Sequence, residues 1–206
     1  FIYMSLILGV LAVDQEVRVL LDFGLGLIEL MGLAGALYGA TTVVLREMET
    51  KTIYLVMTRP VGRGEYLLGR FFGLMLSVLA AMASMAVLHL SVLWAKGWRG
   101  PEPYLLAFLG AYLKVLVTAA LAGFLALFSS SVLTAGSITA ILWTLGHFLP
   151  EIRYLISHGA PNAAVLPLTL LSTVLPDLQL YNLRDRLAAT GLSSPEAGLL
   201  WWLFYA

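Results

Sequence analysis

From Phe71 to Ala95 the chain carries no Asp, Glu, Lys or Arg. A helix over that stretch is ~37 Å long at 1.5 Å per residue, enough to cross the ~30 Å hydrocarbon core of a bilayer. A loop or open strand there would leave backbone N–H and C=O groups unpaired in lipid. The stretch therefore dictates a transmembrane helix, expected over 66–94. Composition agrees: 60% of the 206 residues are hydrophobic and 12% are charged, against about 25% charged in soluble domains. The twelve basic residues balance the twelve acidic ones, so no cationic excess points to nucleic acid. Cysteine is absent, which excludes disulfides, thiolate metal sites and a cysteine nucleophile.

The same reasoning divides the rest of the chain. Further spans are expected at about 1–13, 23–45, 104–128, 132–149 and 196–206, the first and last read as truncated because each is shorter than the ~20 residues a crossing needs. Asp14, Glu16, Arg18 and Asp22 form a polar link, residues 96–103 a Gly- and Pro-broken turn, and Ser129–Ser131 an uncharged tight turn. The fold class is thus an all-α membrane protein: one transmembrane domain over 1–206, a six-span helical bundle. Segment 150–195 is interrupted by Pro161 and Pro167 and reads as interfacial. Within it Leu180, Leu183 and Leu187 fall at helical spacing, which fits either a helix lying on the membrane or a solvated surface helix.

Basic residues set the orientation, since Lys and Arg near span ends stay cytoplasmic. Arg46, Lys51, Arg59, Arg63 and Arg70 cluster in segment 46–70, from the end of the second expected span into the start of the third. That end and both termini therefore face the cytoplasm, and 150–195 lies outside, where it offers a surface to an extracytoplasmic partner. Trp94, Trp98 and Tyr104 fit an outer aromatic belt.

Segment 46–65 is expected to stay helical to about Met57, because Arg59 precedes Pro60 and is biased away from helical backbone. Gly62 and Gly64 permit a bend, and Glu65 then sits in the first turn of the next helix, at the positive end of its dipole. The result is a short stiff element between two spans, able to transmit a push from a cytoplasmic partner. In Glu47, Glu49, Thr52, Pro60-Val61, Arg63, Tyr66, Gly69 and Arg70, at their spacing, the sequence resembles permease subunits of type-2 ABC transporters, particularly the branch of the nitrous-oxide-reductase maturation permease. Many members carry Gly where Lys51 stands here. A second similarity is the segment 175–185, LPDLQLYNLRD.

The resemblance implies a coupling helix, formed by the segment between spans two and three, that docks on a separate ATP-binding subunit. Glu47, Glu49, Thr52, Pro60, Val61, Arg63 and Tyr66 would carry that contact. ATP and Mg would belong to the partner subunit, and this chain would bind no cofactor or metal and catalyse nothing. Consistently, it has no GxxxxGK[ST] phosphate loop. The resemblance further implies a second permease copy, as homodimer or heterodimer, and a prokaryotic inner membrane.

Glu29 and Lys114 are the charges placed deepest in expected spans. Each costs roughly 2.5 to 3.5 kcal/mol if unpaired near the bilayer centre. An ion pair between helices, a polar lining of the transport path, and span ends placed differently all account for them. Gly32, Gly35, Ala36 and Gly39 form a stripe of small residues that permits close helix packing, within one subunit or at a dimer seam. His89 and His147 are not spaced as a metal pair, and Gly24 and Gly26 make no dinucleotide fingerprint. Two other function classes fit the composition: an ion-coupled secondary transporter or channel using Glu29 and Lys114, and a non-transporting membrane scaffold.

Overall fold

The structure is a computed structural model and describes residues 16–50, 62–98, 101–158 and 162–183. The expected spans at 1–13 and 196–206, and Leu187, lie outside the described residues. Among those described there are only helices: α1 (Glu16–Glu49), α2 (Arg63–Ala95), α3 (Pro101–Ala126), α4 (Val132–His147), α5 (Leu149–His158), α6 (Asn162–Val174) and a 3-10 turn, Leu178–Tyr181. Three of them, α1, α2 and α3, are long and apolar enough to cross a membrane, and the bent pair of α4 and α5 makes a fourth if it is one span.

Helix α1 begins at Glu16 rather than near Phe23 and absorbs part of the expected polar link. Charged residues lower helix propensity only slightly, and Asp22 stays half-buried rather than sealed in the core. Helix α2 starts after Gly62, whose N–H donates to Glu65 Oε2 at 3.3 Å, so the first-turn carboxylate expected from sequence is in place. Its far end closes on Gly97, at φ +86°. There Gly97 N–H reaches the Trp94 carbonyl and Trp98 N–H the Leu93 carbonyl. This pair of bonds is the Schellman arrangement that a left-handed glycine permits.

Helix α3 opens on Pro101, a position where the missing N–H costs no helical bond. The serine turn ends in Ser131, whose side chain accepts from Thr134 N–H at 3.1 Å and caps α4. Helix α4 stops at His147, and α5 leaves it at 54°. Proline again explains the break, because Pro150 cannot donate back into α4 and fits only the first turn of a new helix.

The bundle is built with its small residues inside. Helix α1 packs most extensively on α3 and then on α2. The face of α3 that it meets is lined by Ala107, Ala111, Val115 and Ala119, all buried. Along α1 and α2, Gly24, Gly32 and Gly39 meet His89, Met82 and Leu74 in turn. Numbers rise on one helix as they fall on the other, so the two are antiparallel and their glycines admit large side chains of the neighbour. Leu67, Leu68, Phe72, Leu76, Val87 and Leu88 point outward on α2, Leu76 with 67% of its surface exposed. In water such a surface would drive aggregation; in a bilayer it is the solvated face.

Candidate functional site

Three polar constellations interrupt this apolar bundle. The deepest joins α1 to α3: Lys114 Nζ lies 2.8 Å from Glu29 Oε1, with 3% and 15% of the side chains exposed. The candidate spans open at Val19 and Tyr104, and each charge sits ten residues further on, ~15 Å deep by helical rise, near the middle of a ~30 Å core. The two charges placed deepest in the expected spans are thus in contact in space. Beside it Thr118 returns its hydroxyl to the Lys114 carbonyl at 2.8 Å. Pairing removes the net charge from the lipid level, and it also ties two long helices at one point.

The second constellation lies at the end of the bundle opposite Gly62. His89 is fully buried, with Nδ1 3.0 Å from the Tyr104 hydroxyl and Nε2 3.2 Å from the Leu20 carbonyl. The Ala86 carbonyl is a further acceptor for Tyr104 at 3.2 Å. A neutral ring with its proton on Nε2 satisfies both contacts, donating to Leu20 and accepting from Tyr104. One histidine thereby clasps α1, α2 and α3. The ring has room only because residue 24 is glycine, since a Cβ there would collide with it. His147, by contrast, folds back on its own helix, Nδ1 to the Trp143 carbonyl at 3.0 Å.

Beyond α4 the chain turns back on the bundle. Arg153 on α5 donates to Asp177 Oδ2 at 2.8 Å. Asp177 Oδ1 accepts from Gln179 N–H at 3.2 Å, which winds the 3-10 turn. Leu178 and Leu183 are buried, resting against Gly146 on α4 and Gly110 on α3. Over the described residues Leu180 lies in a 3-10 turn that ends at Tyr181, and Leu183 follows beyond Asn182, so the two leucines do not share one continuous helix and both ends of the stretch rest on glycines. Sequence spacing missed this because a backbone docking on glycine leaves no periodicity; isolated glycines inside α3 and α4 were the available signal.

The third constellation is the charged end. Arg46, Glu47 and Glu49 fall in the last turn of α1, and Thr50 hydrogen-bonds the Arg46 carbonyl through both N–H and hydroxyl. Arg63 opens α2 and Tyr66, half-buried, follows within its first turn. Thr52, Pro60 and Val61, with the expected docking helix, lie outside the described residues. Helices α1 and α2 nonetheless bring both ends of the 46–65 segment to one end of the bundle, because they run antiparallel. The small-residue stripe divides: Gly32 and Gly39 are occupied by α2, whereas a side chain at Gly35 would meet nothing within 4 Å.

A family model described as ABC-2 family transporter protein matches residues 3–174. Comparison with curated proteins and with solved structures returns no match.

Proposed function

The chain belongs to the ABC-2 family of transporter membrane proteins, and from that premise we propose that it is a permease subunit driven by a separate ATP-binding subunit through segment 46–65. As a multi-pass membrane component of a transporter it is not itself catalytic. The observation that carries the finer reading is the delivery of both ends of a charged, proline-containing segment to one face by two long antiparallel helices. A rigid pair of that kind passes displacement at its tip into the bundle, where a flexible loop would absorb it.

In this reading two copies of the chain pair in a prokaryotic inner membrane with two ATP-binding subunits, which hold ATP and Mg. Closure of those subunits shifts the docked segments and biases the permeases between two packings. Moving such an equilibrium from 1:99 to 99:1 takes about 5.5 kcal/mol of differential interaction, so the docking contact must be firm. The narrower reading, a member of the nitrous-oxide-reductase maturation branch, draws on Glu47, Glu49, Thr52, Pro60-Val61, Arg63, Tyr66, Gly69 and Arg70 and on the 175–185 motif.

The test is copurification with the ATP-binding subunit and its ATP hydrolysis, with and without this chain. Arg63→Glu leaves four of the five local basic residues and should insert normally, yet lose bound partner and stimulation. If Arg63→Glu and Pro60→Ala both keep wild-type association and stimulation, segment 46–65 does not couple. A second reading, ion-coupled transport or a channel using Glu29 and Lys114, draws on their buried pair. It requires transport that persists without any ATP-binding subunit.

A further inference from the structure

Helix α4 is shorter than the helix it folds back along. Measured from the serine turn that joins them, the candidate span in α3 reaches ~33 Å to Tyr104, whereas α4 reaches only ~22 Å to His147, by helical rise. The turn docked on both helices lies at the level where α4 stops. Leu178 rests on Gly146, and the Tyr181 carbonyl rests on Gly110, which is ~9 Å below Tyr104 along α3. Helix α5 is ~15 Å long, and its 54° bend from α4 lifts it by about 9 Å, close to the level of Tyr104. Helix α6 packs on α5 and ends at Val174, just before Pro176, whose carbonyl lies against Gly146. The chain therefore rises along α5 and descends again along α6. At ~20 Å, α6 is too short to cross a ~30 Å core.

The surface of α6 suits that depth. Residues 154–176 include no Asp, Glu, Lys or Arg, and Leu166 and Leu170 are 69% and 58% exposed. Lipid offers polar groups no partner, and the hydroxyls of α6 already have theirs. Thr169 donates to the Val165 carbonyl at 2.7 Å, and Ser172 and Thr173 donate to the Thr169 carbonyl at 2.9 and 2.8 Å. The charges of this region, Glu151, Arg153 and Asp177, stand on α5 and in the turn. We propose that α6 is an intramembrane half-helix that enters the leaflet on the side opposite Gly62, with Leu166 and Leu170 packed against acyl chains. A second copy of the chain is the other cover such a face takes in a bilayer. Helices that associate in lipid do so through close backbone approach or shared hydrogen bonds; here leucines hold a neighbour off and the hydroxyls are engaged.

This placement goes beyond the proposed function and does not depend on it, because depth in the bilayer is read without any ATP-binding subunit. The chain has no cysteine, so single cysteines carry spin labels without background. The experiment places one label at a time, as Leu166→Cys, Leu170→Cys or Thr173→Cys, on the full chain in vesicles of phosphatidylcholine and phosphatidylglycerol. All three positions are exposed, so a label there displaces no packed side chain. Collisions with oxygen, which concentrates in lipid, are compared with collisions with a water-soluble nickel chelate. Oxygen should dominate at all three, as it should for Leu76→Cys on the exposed face of α2, and nickel should dominate for Ser157→Cys near the end of α5. The preference for oxygen should also grow from Leu166 to Thr173, following the descent of α6. Nickel dominating on α6 would place the helix in water, and protection from both reagents would mean that protein, a second copy included, covers it. Either result, or a preference that falls from Leu166 to Thr173, would overturn the assignment.

Discussion

Glu29 and Lys114 show how a costly residue becomes stable only in company. Either charge alone in the middle of the bundle would be poorly solvated, and removing one partner of such a pair typically costs about 3–5 kcal/mol. Glu29→Gln and Lys114→Met should therefore each lower the thermal midpoint of the detergent-solubilised protein, and the double substitution should recover part of the loss. Strict additivity would mean that the two act separately. Glycines offer a sharper contrast. Gly24→Leu would thrust into His89 and should destabilise by about 1–3 kcal/mol, the usual range for overpacking. Gly35→Ala, with open space around it, should stabilise by roughly 0.5–1 kcal/mol through helix propensity. Thr42 carries a buried hydroxyl with no hydrogen-bond partner among the described residues, so Thr42→Val should be neutral or stabilising in the same melt.

Among the elements, the docked turn is the piece that sequence periodicity did not reveal. Leu178 and Leu183 are held by shape against Gly146 and Gly110, and Asp177 is held by Arg153. Gly110→Val would press on the Tyr181 carbonyl and the Leu183 side chain. Hydrogen exchange across 178–183 should rise severalfold in that variant while the middle of α2 stays protected. Arg153→Ala should have a smaller effect, because the Arg153 side chain is 53% exposed and exposed pairs contribute ~0–1 kcal/mol. Equal effects of the two would show that the ion pair, not the glycine contact, holds the turn.

For the molecule as a whole, the antiparallel order of α1, α2, α3 and α4 places α5 and the exposed Gly62 at opposite ends. If basic residues set the orientation, cysteine at Ser157, exposed on α5, should react with an impermeant thiol reagent in intact spheroplasts. Cysteine at Gly62 should react only after lysis. Reversed labelling would invert the topology and place segment 46–65 where no ATP-binding subunit can reach it. The long helices were legible because burial in lipid imposes a length and forbids charge, and both constraints act on consecutive residues. The polar links were less so: a charge such as Asp22 marks where water is tolerated, not where a helix begins.

The sequence by itself determined that this chain is helical over its described residues, that it sits in a membrane, where its three helices long and apolar enough to cross lie, and where charge collects. These follow from local rules, since every backbone group in lipid must be satisfied within its own segment. Tertiary structure decided which residues meet. It joined Glu29 to Lys114, fitted His89 over Gly24 and folded Leu178 onto Gly146. Those contacts depend on the rotation of one helix against another, and in lipid that rotation is chosen by close packing of small residues and by the pairing of rare polar groups. Neither is a property of any single stretch of sequence.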